Sequence, residues 1–311
     1  MKRSIALVTA IITAAAAVCL TGCVSVSEKY ADADKYSAGN ANFNGSDVQS
    51  IYIDWSSGDV TVTRHDTDTV TVTETSKEDL KDSQKVHTWL DGDTLRVHYC
   101  KSGETFIGFR SIEKNLEIQI PQDMELYTLS YDGSSGDSLF EEITAETISV
   151  DVSSGDTRII GCSAKKFEAE TSSGDITIEQ KGEAESISAE ATSGDIEISA
   201  EKAAEVEMEA TSGHIELAAQ EAKSVDAETT SGNIVLRFGK MPADTDVDAT
   251  SGNIKVYVPE GADFTADIDT TSGDFDSNIA LSKSGSKYTS GNGSNTLDIE
   301  TTSGDIKILS E

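Results

Sequence analysis

The chain has 311 residues, with 56 acidic against 24 basic side chains and a formal net charge of -32 at pH 7. So large an excess of carboxylate repels nucleic acid and anionic lipid headgroups, and it excludes both as partners of the folded part. Its length and its 37% hydrophobic content suffice for a sizeable core, in one elongated domain or two compact ones.

Lys2 and Arg3 precede a mostly apolar, Ala-rich run from Ser4 to Val18, and Leu20-Thr21-Gly22-Cys23 comes next. A basic start, a short apolar core and small residues at its end form the pattern of a secretory signal rather than of a structural helix. The Leu-Thr-Gly-Cys sequence resembles the lipobox of bacterial lipoproteins. That resemblance implies cleavage after Gly22 and a diacylglyceryl group on Cys23. Residues 1–22 are then removed, and acyl chains hold the mature protein on the extracytoplasmic face of the cell membrane. No later stretch approaches the ~18 apolar residues of a membrane-spanning helix. Residues 23–48 are rich in Ser, Ala, Asn and Asp and poor in large apolar side chains, which predicts a flexible tether. Of the four cysteines, Cys19 leaves with the signal and Cys23 carries the lipid. Cys100 and Cys162 are expected as two unpaired, partly buried thiols, although a disulfide is permitted outside the cytoplasm.

Residues 49–120 are predicted as an irregular β region. Ile51 to Val62 alternates around a first Ser56-Ser57-Gly58-Asp59 corner, and Val70–Thr73, Leu95–Tyr99 and Leu116–Ile120 alternate as strands. Asp91-Gly92 marks a hairpin turn. This part holds Trp55, Trp89, Phe106 and Phe109. It is expected to cap the amino-terminal end of the more regular residues 121–311, because an open strand edge must be hidden.

Residues 121–311 are dominated by a repeat. A Ser-Gly-(Asp/Asn/His) triplet has its glycine at 58, 136, 155, 174, 194, 213, 232, 252, 273 and 304, with spacings of 19 to 21 residues between 136 and 273 and one of 31 at the end. Every copy has Ser or Thr two residues before the glycine, and most have Ile, Val or Phe two residues after it. The flanks alternate with period two, as in Val206-Met208-Ala210 before the corner and Ile215-Leu217 after it, so each is a strand with one buried face. Glycine supplies a positive φ at the turn, and Asp or Asn tolerates the tight geometry. An antiparallel series of hairpins would also use Gly-Asp turns. The near-constant period and the like-on-like columns favour an all-β β-solenoid instead, with coils of roughly 19 residues and two strands per coil.

Recurrent Thr-Ser-Gly-Asp-Ile units behind a lipoprotein signal resemble a bacterial adhesin-like β-solenoid family of unknown function, over about residues 49–311. The resemblance implies an envelope-associated protein, in some members one beside envelope-stress signalling genes. It brings no catalytic residue.

Two acidic columns obey the repeat. Four residues before each glycine the side chain is always Asp or Glu, and one residue after it stands Asp in seven copies, Asn in two and His in one. If coils stack at ~4.8 Å, like charges adjoin, and neighbouring pairs repel by ~1 kcal/mol in a water-like dielectric. Asp151, Asp156, Glu170, Asp175, Glu190 and Asp195 are therefore candidates for weak Ca²⁺ binding. The same acids also serve as turn residues and as a solubilising face. The four histidines (His65, His87, His98, His214) are scattered, no Gly-x-Ser-x-Gly elbow occurs, and the acids follow the period rather than interrupting it. The expectation is a non-catalytic module without a cofactor, binding an envelope or surface protein or a polymer. The alternatives are an envelope-stress accessory protein that captures cationic peptides or contacts a membrane sensor and, third, a carbohydrate-active enzyme, for which the irregular segment 276–298 is the place to look.

Overall fold

In the computed structural model, which describes residues 29–104 and 112–310, the regular elements are β-strands apart from two short 3-10 turns, Gly45–Asp47 and Asp82–Gln84. The strands stack in parallel through the body of the molecule, as a solenoid requires and a hairpin series does not. Ile176 lies beside Ile196, Ile196 beside Ile215, Ile215 beside Ile234 and Ile234 beside Ile254. On the opposite wall Ala189, Met208, Ala227 and Val247 form an equivalent column.

Within one coil, Ile196–Ser212 is a continuous 17-residue strand. Ile196, Ile198 and Ala200 point inward from one wall, and Val206, Met208 and Ala210 from the other. The two straight runs expected per coil are thus present, joined by a bend near Ala203 without a break in pairing. Small residues on one wall face branched ones on the other, so the interior is narrow and filled. Burying each Ile, Val or Leu contributes roughly 1.5–3 kcal/mol, and the stack repeats that gain coil by coil.

Glycine at the corner is required by clearance as much as by φ. A Cβ on Gly194 would lie 1.8 Å from the carbonyl oxygen of Gly174, and one on Gly252 would lie 1.6 Å from that of Gly232. No side chain fits there.

The coils, named by their corner glycines, do not stack in chain order at either end. Strand Ser50–Trp55 pairs with Glu125–Gly133, so the Gly58 coil lies directly against the Gly136 coil and belongs to the solenoid rather than to a separate 49–120 cap. At the far end, strand Asn295–Ser303 pairs with Asp244–Ser251 on one side and Phe264–Ser272 on the other. The Gly304 coil therefore sits between the Gly252 and Gly273 coils, and the last coil in sequence is not the last in space. The expected expanded repeat, 276–298, is the excursion that lets the chain turn back. It carries the antiparallel hairpin Ser282–Ser284 with Lys287–Ser290.

The amino-terminal end is closed by a further parallel layer, Thr94–His98 and Lys114–Pro121, with antiparallel strands over it. Lys114–Pro121 lies parallel on the Gly58 coil and is covered in turn by antiparallel Thr69–Ser76. The hairpin at Asp91-Gly92 forms as expected, between His87–Asp91 and Thr94–His98. Residues 29–48 correct the predicted tether. Ser37–Ala38 and Ala41–Asn44 pair with the cap. Tyr30 stacks on His98 at 3.9 Å and donates its hydroxyl to the carbonyl of Cys100, and Tyr36 meets Trp89 edge-on. Three aromatic residues in a polar stretch (Tyr30, Tyr36, Phe43) are the sequence signal for this docking. Cys100 and Cys162 are both buried as separate thiols. The signal, Gly22, Cys23, Phe106 and Phe109 lie outside the described residues.

Candidate functional site: the acidic face and its corner ladder

Each coil presents two kinds of outward carboxylate, and they do different things. From Asp59 to Asp305 the residue after the corner glycine accepts a hydrogen bond from the backbone N–H of the matching residue in the next coil, and Asp274 of the outermost coil has no next coil among the described residues. Asp156 accepts from Asp175 at 3.0 Å, Asp175 from Asp195 at 2.8 Å, and Asp195 from His214 at 2.7 Å. His214 continues the line by accepting from Asn233 through Nδ1, and Asn233 accepts from Asn253. The column tolerates Asp, Asn and His because each offers an acceptor at the same reach. Three of the cation candidates, Asp156, Asp175 and Asp195, thus have one oxygen committed to holding coils together.

The other three, Asp151, Glu170 and Glu190, stand in register on the exposed side of the run before the corner. They begin a wider face. Six residues before the glycine a second acidic column appears, formed by Glu168, Glu207, Asp226, Asp246, Asp298 and Asp267, beside Glu170, Glu209, Glu228, Asp248, Glu300 and Asp269. Sequence reading missed this column because Ser130, Ser149 and Ser188 occupy it in the amino-terminal coils. Its density also depends on the insertion of the Gly304 coil, which places Asp298 and Glu300 between Asp246/Asp248 and Asp267/Asp269.

Crowding changes the chemistry of these groups. Asp226 is pushed up to about 6, first by burial among its neighbours and then by the charges of Asp246, Glu207 and Glu228. Asp248 is pushed up to about 6 by burial, then by Asp246, Glu300 and Glu228. Asp246, Asp298, Glu190 and Asp132 are likewise raised, first by burial and then by neighbouring carboxylates. A proton, an ammonium group or a diffuse cation would each relieve this repulsion. Among the described residues no group of three or more His, Cys, Asp or Glu side chains is arranged to hold a metal ion. The face is a field of single carboxylates in rows.

These features define a two-walled parallel β-solenoid with a corner ladder and one acidic wall. The family model of the Toastrack domain, DUF4097, matches residues 48–309, and the chain belongs to that family. No curated protein matches it. Among solved structures it is similar to a lipid-binding protein candidate of Parabacteroides distasonis, at 15% identity and a TM-score of 0.42 over 88% of this chain and 97% of that one. It is also similar to an adhesin candidate of the same species, at 15% identity and a TM-score of 0.38 over 86% and 95%. A third similarity is to an adhesin candidate of Bacteroides fragilis, at 14% identity and a TM-score of 0.35 over 88% and 96%.

Proposed function

We propose that the protein is a lipid-anchored, non-catalytic, adhesin-like module of the extracytoplasmic cell surface, and that its acidic wall is what it presents to a cationic protein or polymer. The observation that carries this reading is the double row of carboxylates running without interruption from Glu207/Glu209 to Asp267/Asp269 across five stacked coils. A rigid strand face spaces these charges at ~4.8 Å, so a partner with repeated Lys or Arg side chains meets them without the protein having to order itself first. Ca²⁺ would act on the same face as a weak, diffuse counterion.

A second reading, contact with a membrane-embedded sensor, is favoured by the docking of Tyr30. Only residues 24–29 separate Cys23 from that anchor, a span of at most ~25 Å. A lipid on Cys23 would keep the amino-terminal cap close to the bilayer and raise its effective concentration there.

Two measurements test the proposal. Membrane fractionation with a labelled fatty acid is expected to show the protein lipidated and pelleting, and Cys23→Ala is expected to release it unlabelled. Charge reversal of Glu207, Glu209, Asp226 and Glu228 to Lys is expected to abolish oligolysine binding at low salt. Retained binding would mean that the wall is not the contact surface.

A further inference from the structure

Every corner passes the same three hydrogen bonds to the next. For the Gly304 coil docked on the Gly252 coil, Gly252 N–H donates to the carbonyl of Ser303 at 3.0 Å, and Ile254 N–H donates to that of Asp305 at 2.9 Å. Asn253 Oδ1 accepts from Asp305 N–H at 2.9 Å. The Gly304 coil repeats the pattern toward the Gly273 coil, through Ser272, Asp274 and the Asp305 carboxylate. The Gly273 coil presents the same set outward in Gly273 N–H, Phe275 N–H and the Asp274 carboxylate, and no further coil among the described residues meets them.

Three other observations mark this edge as open. Gly273 is exposed where Gly155 to Gly304 of the inner coils are half-buried. Ile268 and Phe275 are only partly covered, whereas the matching Ile299 and Ile306 are fully buried. The hairpin strand Lys287–Ser290 pairs with residues 264–267 and stops there.

We propose that the outer edge of residues 268–277 is a docking site for an extended basic segment of a partner protein, which adds as a further parallel strand. Strand addition to an exposed edge takes its affinity from main-chain bonds and its specificity from alternate side chains. Three features define the segment. It carries glycine opposite Gly273, since a Cβ there would overlap the Gly273 carbonyl as it would at each inner corner. It carries an apolar side chain over Ile268 and another beside the Tyr288 ring that already packs on Phe275. Its outward side chains are Lys or Arg, because Asp269, Asp274 and Asp276 line the edge.

A second copy of the chain does not fit. Two such edges facing one another would set Asp269, Asp274 and Asp276 of one copy against the same aspartates of the other. The complementary carbonyl edge, at Ser57 and Asp59, is already taken by Lys114 and Leu116 of the cap. The inference rests on the proposed function for the partner's basic character, but it names a different surface.

The test uses the full mature chain and fluorescence anisotropy of a labelled decapeptide copying residues 299–308 with Glu300→Lys and Asp305→Lys. This peptide is expected to bind saturably. A version with Gly304→Ala is expected to bind at least ~10-fold more weakly, since the corner no longer closes. In the protein, Asp274→Ala is expected to weaken the peptide ~5–10-fold by removing one acceptor. Phe275→Pro, which removes an outward N–H from an edge strand, is expected to abolish binding. Oligolysine binding is expected to survive both variants. Equal binding of the alanine peptide, or indifference to Asp274→Ala, would overturn the edge site while leaving the acidic wall as the contact. If the decapeptide fails to bind while oligolysine binds, the edge site is overturned in the same way.

Discussion

The two ends of the solenoid solve the same problem differently. At the amino-terminal end, Lys114–Pro121 covers the Gly58 coil and antiparallel strands cover that in turn. A fully buried ion pair sits beneath them. Lys114 Nζ lies 2.5 Å from Glu74, donates to the carbonyls of Gln84 and Tyr99, and stands over the rings of Trp55 and Tyr99. Trp55 returns a bond from Nε1 to the Lys114 carbonyl at 2.9 Å. At the carboxy-terminal end, a hairpin covers part of one strand, Tyr288 packs on Phe275, and the remaining edge is guarded only by aspartates. Acidic side chains on an edge discourage pairing with like chains, so one end is sealed by structure and the other is kept from self-association by charge.

The largest effect should come from breaking the seal. Lys114→Met leaves Glu74 buried without its counter-charge and is expected to cost about 3–5 kcal/mol in urea unfolding. Replacing Glu74 as well, with Leu, should recover most of that loss. In the body, Gly194→Ala places a methyl group against the Gly174 carbonyl and should cost about 1–3 kcal/mol, read as a lower unfolding midpoint at unchanged slope. The corner ladder gives a direct contrast between interior and end. Asp195→Ala removes an acceptor that His214 N–H uses and should cost about 1 kcal/mol, whereas Asp274→Ala at the open end should be close to neutral.

The smallest effect per residue is electrostatic. A carboxyl raised in the folded state holds its proton more tightly there than in the unfolded chain. The stability this gives is present below the unfolded value near 4 and is lost as pH rises through about 6 for Asp226 and Asp248. Exposed acids with lysine or backbone partners (Asp82, Glu221, Asp263) are lowered and act in the opposite sense. The crowded wall holds the more strongly shifted groups, so the melting temperature should rise on acidification from about pH 7.5 to about 5. Millimolar Ca²⁺ should raise it at the higher pH and do little at the lower. An unchanged melt in Ca²⁺ against chelator at pH 7.5 would remove the diffuse-cation idea.

The repeat period, the inward columns and the parallel stack are legible in the sequence because period-two alternation and a glycine corner leave few alternatives. Coil order is not. Thr-Ser-Gly-Asp-Ile reads the same at 271–275, with Phe for Ile, as at 302–306, so nothing local says which copy is outermost. The acidic column next to the corner is visible, but its role as a backbone acceptor emerges only when His214 stands in the same position with the same task. The second column, six residues before the glycine, is present in Asp226, Asp246 and Asp298 and masked by serines in earlier coils. The docking of residues 29–48 is hard to read because three aromatics are diluted by polar neighbours.

Amide hydrogen exchange resolved at the corners tests the contrast between the ends most directly. Gly58, Val60, Gly252 and Ile254 donate to a neighbouring coil and should exchange only through opening of the stack. Gly273 and Phe275 should exchange orders of magnitude faster. Comparable protection at Gly273 and Phe275 would mean that the last coil is covered, and the account of an open, acid-guarded end would be wrong.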